Sequence, residues 1–376
     1  MTTSPDRDSL LGATSAARAE LEHLVLEKNV IVCTGSGGVG KTTTAAVIAL
    51  EAARQGRRAC VVTIDPAKRL ADALGLESLS NSPSRVDGPW SGELWALMLD
   101  TKSTFDDLVI ANSDTQAQAD GILANRFYRN ISGALSGTQE YMAMEKLYDL
   151  HHDEQFDLVV VDTPPTRNAL DFIEAPQRLT RFLDHRLYRM LVSPTRGIAR
   201  AVNVAAQAFL RTVSKVVGGD VVADAIAFFA AFDGMEQGFR ERAESTLALL
   251  SDDVTAFVLV AAPRRDVVIE ATYFAARLTE ASIPIRALIV NRMHPSFSTS
   301  NPATTVDRAH RFAGTDLGDL YANLADFQQV AAHEHEHIAG LADRVAPAPV
   351  IGVPFLQTDV HDLSGLTEIG RHLFPR

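Results

Sequence analysis

Gly35, Ser36, Gly37, Gly38, Val39, Gly40, Lys41 and Thr42 satisfy the spacing G-x-x-x-x-G-K-[ST]. An apolar run, "NVIVCTG", leads into them and an Ala-rich helical pattern follows, the strand–turn–helix setting in which such a loop cradles phosphate. Glycines let successive backbone N–H groups turn inward on phosphate oxygens, and the helix N-terminus adds partial positive charge. Lys41 is expected to reach the β- and γ-phosphates of ATP, Thr42 to offer its hydroxyl to Mg2+, and Thr43 to join the same phosphate-binding turn.

Two carboxylates extend this chemistry. "VVVDTPP" sets Asp162 at the tip of an apolar strand, where it can hold Mg2+ directly or through water. "TIDPAKRL" sets Asp65 at the end of the strand after the phosphate-loop helix, where a carboxylate can orient or deprotonate an attacking water. Taken alone, Asp65 reads as a helix N-cap, and only the neighbouring motifs raise the catalytic reading. The expected catalytic set is therefore Lys41, Asp65 and Asp162, with Thr42 and Asp162 as metal ligands.

A second constellation competes for notice. "AAHEHEHIAG" contains His333, Glu334 and His337 in H-E-x-x-H spacing, two histidines one helical turn apart. A zinc protease also needs a third ligand, and no downstream companion motif is present. The expectation is a charged, solvent-facing helix.

Positioning these groups requires a sheet. Apolar runs recur between longer helical patterns: "NVIVCTG", "RACVVTID", "ELWALMLD", "FDLVVVDTPP", "TAFVLVAA", "PIRALIVNR" and "APVIGVPF". Near-continuous apolar strands are covered on both faces, which predicts an α/β fold with a doubly wound, mostly parallel sheet and a ligand at the strands' carboxyl ends. The main domain is expected over residues 20–376, after a flexible 1–19. Residues 102–139 and 171–253 break the rhythm and predict an inserted helical subdomain. Within it, Ile198, Val202, Ala205, Phe209 and Val213 form one apolar stripe, and Phe228, Phe232, Met235 and Phe239 another. These stripes read as packing faces, or as a groove for an apolar client helix. Near the C-terminus, Leu366, Ile369 and Leu373 share a helical face expected to pack on the domain.

Composition narrows the classes. The 376 residues carry a formal net charge of −12, which gives no support to a broad nucleic-acid-binding face. Cys33 and Cys60 both lie in apolar runs, so neither a disulfide framework nor a CxxC metal site is expected. The first residues lack the apolar core of a signal peptide, and no run reaches the ~18–20 apolar residues of a membrane span. A cytoplasmic location is expected.

In order along the chain, "GSGGVGKTT", "TIDPAKRLADALG", "ELWALMLDTKSTFDDLV", "DTPPTRNALDFIEAP" and "IVNR" resemble the arsenite-pump and tail-anchored-protein-targeting ATPase family. The resemblance spans nearly the whole chain and is strongest in the nucleotide site. It implies a P-loop ATPase of the deviant Walker A class, working as a dimer with two nucleotides at the interface. Asp65 would then be the hydrolytic switch residue, "DTPPT" the second switch, and Asn291 a partner of the adenine base, with Val353 and Pro354 near that base. Three departures stand out. Ser36 replaces the lysine that, in the family, crosses to the partner's phosphates. Pro165, Thr166, Arg167 and Asn168 replace the usual P-T-G-H, so Arg167 is either a substitute cation or a surface salt-bridge partner. The missing thiols argue against metalloid transport. Either a homodimeric ATPase or a weakly hydrolysing subunit paired with a lysine-bearing paralogue fits this pattern.

Overall fold

β1 (Val30–Gly35), β5 (Leu158–Asp162) and β6 (Thr255–Ala261) are buried at every position. A strand whose side chains all avoid water must be covered on both faces, and this dictates the rest of the architecture. β2 (Arg58–Thr63), β3 (Ser84–Val86), β4 (Glu93–Met98), β7 (Ile285–Met293) and β8 (Val350–Pro354) complete an eight-stranded sheet of order β3-β4-β2-β5-β1-β6-β7-β8. β1 pairs in parallel with both β5 and β6, and the parallel run continues through β7 to β8. Only the β3–β4 pair is antiparallel among the pairings described. β3 escapes a sequence reading because it is three residues long with a single buried side chain, Val86.

This is a computed structural model, and it describes residues 14–65, 68–131, 138–164, 174–175, 181, 219–231, 235–295, 301–357 and 359–375. The chain divides into two compact units. The first takes Met1–Leu97, Asp153–Leu170 and Asp253–Arg376, and the second Met98–His152 and Asp171–Asp252.

In the first unit, α1 (Ser15–Glu27) starts at an N-cap, Thr14, whose hydroxyl accepts from Ala17 N, and it buries Ala17, Leu21 and Val25. The helix thus begins within the stretch expected to be flexible, because its apolar face has somewhere to pack. α2 (Lys41–Arg54) follows the glycine-rich loop and buries ten residues, five of them alanines that let the helix lie close to the sheet. α3 (Arg69–Leu74) ends at Gly75 in the left-handed conformation. α10 (Arg265–Glu280), α11 (Pro302–Arg311), α12 (Asp316–Val345) and α13 (Leu363–Leu373) follow the later strands. Leu366, Ile369 and Leu373 of α13 are buried, and that helix packs against α2 and β8.

The second unit is helical: α4 (Thr101–Asn112), α5 (Gln116–Ala124), α6 (Arg126–Ile131), α7 (Thr138–His152), α8 (Gly219–Ala231) and α9 (Glu236–Ser251). It runs past the expected Gln139 boundary to His152 because α7 packs against α4 and α9. The Arg242 Nε on α9 donates to the buried Glu145 on α7 at 2.6 Å. Phe228, Met235 and Phe239 are buried, Phe228 on α8, Met235 at the N-cap of α9 and Phe239 within α9. Phe232 and the whole Ile198–Val213 stripe lie outside the described residues.

Candidate functional site at the carboxyl end of β1

Cross-strand register builds the floor of the site. Cys33 of β1 and Thr63 of β2 both stand opposite Asp162 of the intervening β5. The Asp162 side chain, 1% exposed, accepts through Oδ2 from the Thr42 hydroxyl at 2.7 Å and the Thr63 hydroxyl at 2.9 Å. Its other oxygen, Oδ1, is buried with no protein partner. Burial pushes its pKa up to about 6, against the pull of the two hydroxyls and the Lys41 charge.

The Lys41 ammonium donates to the Ser36 carbonyl at 2.9 Å, back across its own loop. Burial lowers its pKa, while Asp162 and Asp65 favour the charged form. The Ser36 side chain is 2% exposed, and its hydroxyl, like that of Thr34, is buried without a partner. Gly37 and Gly38 are exposed, Val39 is buried, and Thr42 and Thr43 are half-buried in the first turn of α2.

Two glycines are fixed by their surroundings. A Cβ on Gly35 would lie 2.0 Å from the Val260 carbonyl of β6. Gly40 adopts φ +97°, and a Cβ there would lie 2.3 Å from Asn291 Nδ2. Asn291 is that close because its amide donates to the Val39 carbonyl at 2.8 Å while its oxygen accepts from Arg292 N at 2.9 Å. A bulge at the end of β7, with Arg292 at φ 61°, carries this geometry. Pro354 ends the neighbouring β8 opposite Met293, so Asn291 and Pro354 lie at the carboxyl ends of adjacent strands.

The described structure thus brings Thr42, Asp162, Lys41, Ser36 and Asn291 together around one loop. Asp65 joins through Thr63, whose hydroxyl accepts from the Asp65 backbone N–H at 3.2 Å. Sequence reasoning missed Thr63, although "TID" held the signal: a strand-end hydroxyl two residues before an acid. It also missed Thr163, whose hydroxyl donates to the Cys33 carbonyl at 2.9 Å and pins the start of "DTPP" to β1. Pro165, Thr166, Arg167 and Asn168 lie outside the described residues.

The histidine-rich helix is built differently. Both carboxylate oxygens of Glu334 on α12 are engaged by His294, from its backbone N at 2.8 Å and from Nδ1 at 2.6 Å. His294 in turn stacks on Phe355, ring centroids 6.0 Å apart. His337 Nδ1 lies 3.3 Å from the Pro263 carbonyl. Among the described residues no group of three or more His, Cys, Asp or Glu side chains could hold a metal ion. Both cysteines are buried and neither forms a disulfide. No helix of the described residues is long and apolar enough to cross a membrane.

The sequence profile of the family described as "Anion-transporting ATPase" matches residues 28–340. Among curated proteins, ATPase GET3 of Malassezia globosa is 30% identical over 43% of this chain and 47% of its own length. An uncharacterized protein of Streptomyces coelicolor is 36% identical over 46% of this chain and 42% of its own. The ATPase ASNA1 homolog of Dictyostelium discoideum is 27% identical over 69% of this chain and 70% of its own. The chain spans about half the length of the first two of these relatives.

Proposed function

The chain belongs to the anion-transporting ATPase family, and from that premise we propose that it binds ATP with Mg2+ at the loop after β1 and hydrolyses the terminal phosphate. The observation that carries the reading is Asp162: one carboxylate oxygen tied to Thr42 and Thr63, the other buried and unpaired. A buried acceptor without a partner is destabilising unless a ligand supplies one, and a hard cation with its water fits an oxygen donor set of this kind. Thr42 and Asp162 would hold the metal, which when bound screens the phosphate charge.

The residues divide the remaining work. Backbone N–H groups of Gly37, Gly38, Val39 and Gly40, with Thr43, line the phosphates. Lys41 leaves the Ser36 carbonyl for the phosphate oxygens, exchanging a neutral acceptor for an anionic one. Asp65 orients the attacking water and takes its proton, held in place by Thr63. Asn291 keeps one amide hydrogen on Val39 and has the other for the adenine ring, with Pro354 against the base. The nucleotide is read partly by a side chain that also shapes the loop.

Dimerisation with nucleotide at the interface, and a client or partner bound through the helical unit, belong to the same proposal. So do a cytoplasmic location and the absence of a nucleic-acid partner. A second reading, a weakly hydrolysing subunit of a heterodimer, is favoured by Ser36: a hydroxyl can hydrogen-bond a phosphate but adds no charge. Steady-state hydrolysis by the purified chain, with Lys41→Ala and Asp65→Asn variants and oligomeric state followed with and without Mg-ATP, separates the two. Turnover lost in both variants supports the self-sufficient ATPase. Nucleotide binding by wild type without turnover or dimerisation supports the partner subunit, and no nucleotide binding at all sinks both.

A further inference from the structure

A bound triphosphate brings a charge of about −4 at neutral pH, given a terminal phosphate pKa near 6. It would enter a pocket that already holds the Asp162 and Asp65 carboxylates. Lys41 is the buried cation there, and Ser36 contributes a neutral hydroxyl. Electrostatic stabilisation of the developing charge is the main thing a protein can add to phosphoryl transfer, so a second cation within reach matters.

Arg69 opens α3, one turn beyond Asp65. Its guanidinium lies 4.0 Å from Asp65 Oδ2, at the outer limit of an ion pair, and its side chain is 69% exposed. A hydrogen-bonded series runs from Thr42 through Asp162 and Thr63 to the Asp65 backbone, and Arg69 faces the Asp65 carboxylate at its end. Among the described residues whose charges bear on the Lys41 ammonium, Arg69 is the one other cation. It is thus near the phosphate site, largely exposed, and held there by an ion pair at the outer limit of its range.

We propose that Arg69 supplies, from the same chain, the second cation on the terminal phosphate of ATP, exchanging its long contact with Asp65 for two phosphate oxygens. This rests on the ATPase reading given above. A guanidinium fork matches two phosphate oxygens, which an ammonium cannot do. The exchange also withdraws the Arg69 charge from the Asp65 carboxylate. The water oxygen then bonds to the terminal phosphorus as the bond from phosphorus to the β–γ bridging oxygen breaks. The water's proton passes to Asp65, and the electron pair of the broken bond stays on ADP.

The test compares wild type, Arg69→Ala and Arg69→Lys by steady-state hydrolysis and by calorimetric affinity for ADP alone and for ADP with aluminium fluoride. Removal of one donor that acts on transition-state charge lowers kcat by about 100-fold. Arg69→Ala should show that loss, a matching loss of affinity for the aluminium fluoride complex, and ADP affinity within about threefold of wild type by the same logic of differential binding. Arg69→Lys should recover part of both. An Arg69→Ala protein that binds the complex and turns over like wild type overturns the proposal and leaves the ATPase reading standing. So does a parallel loss of affinity for both ligands, which marks a structural role. A wild type that binds no nucleotide overturns proposal and reading together.

Discussion

Two stretches of this chain carry motifs with a chemical reputation, and the structure treats them oppositely. In the loop after β1, Ser36 Oγ and Asp162 Oδ1 are buried and left without protein partners. On α12, the polar atoms of the H-E-x-x-H spacing are largely spoken for: Glu334 by two donors of His294, His337 by a main-chain carbonyl. Because an unpaired buried polar atom costs about 1–3 kcal/mol, a fold keeps one where something else pairs with it. Unfinished hydrogen bonding at Ser36 and Asp162, set against the engaged Glu334 and His337, is what distinguishes these two motifs in the structure.

The sharpest way to break that contrast is Asp162→Asn. An acid whose folded pKa is about 6, above its ordinary 3.8, binds more protons when folded than unfolded across that window. Its contribution therefore becomes less favourable as pH rises from about 4 to 6, and above 6 the full penalty applies. At about 1.36 kcal/mol per unit, the penalty is on the order of 2–3 kcal/mol for this buried group. Nucleotide-free Asp162→Asn should melt at a higher temperature than wild type at pH 7.5, with the gain shrinking toward pH 5. The stabilisation of wild type by Mg-ATP should be absent from the variant. Equal melting at both pH values would show that the carboxylate is not strained, and the site would lose its distinguishing mark.

Next in size is Gly40→Ala. The new methyl meets the end of the Asn291 side chain at 2.3 Å, and the left-handed φ adds backbone strain of about 1–2 kcal/mol. Melting and ADP affinity should both fall, and Asn291→Ala in the same protein should return part of the stability, because the clash is with that side chain. Additive losses in the double variant would place the strain in the backbone alone.

How much of this could be read from residue order follows from the kind of signal each part emits. β1, β5 and β6 are buried on both faces, so their apolar runs are unbroken and the parallel sheet is legible. The convergence of Lys41, Thr42 and Asp162 is legible too, because the loop spacing and a strand-end acid place them together. Thr63 is not: its role depends on the register that sets β2 beside β5, and register is invisible in one strand's sequence. Phe228 and Phe239 are buried, on α8 and α9, as the apolar spacing of that stretch predicts for a packing face.

The smallest expected effect tests the other half of the contrast. Glu334→Ala removes the acceptor for both the backbone N–H and the ring nitrogen of His294, which sit half-buried where β7 ends. Two such hydrogen bonds contribute about 0.5–1.5 kcal/mol each, so a loss of roughly 1–3 kcal/mol in denaturant unfolding is expected. Glu334→Gln keeps one acceptor and should lose less. Zinc titration of the wild type should give no tight one-to-one binding, and His333→Ala with His337→Ala should leave that titration unchanged. A tight, saturable zinc site abolished by the double variant would mean that Glu334 gives up His294 to a metal. The distinction between a completed clasp and an unfinished site would then have to be drawn from the exchange energetics of each group rather than from its partners in the ligand-free fold.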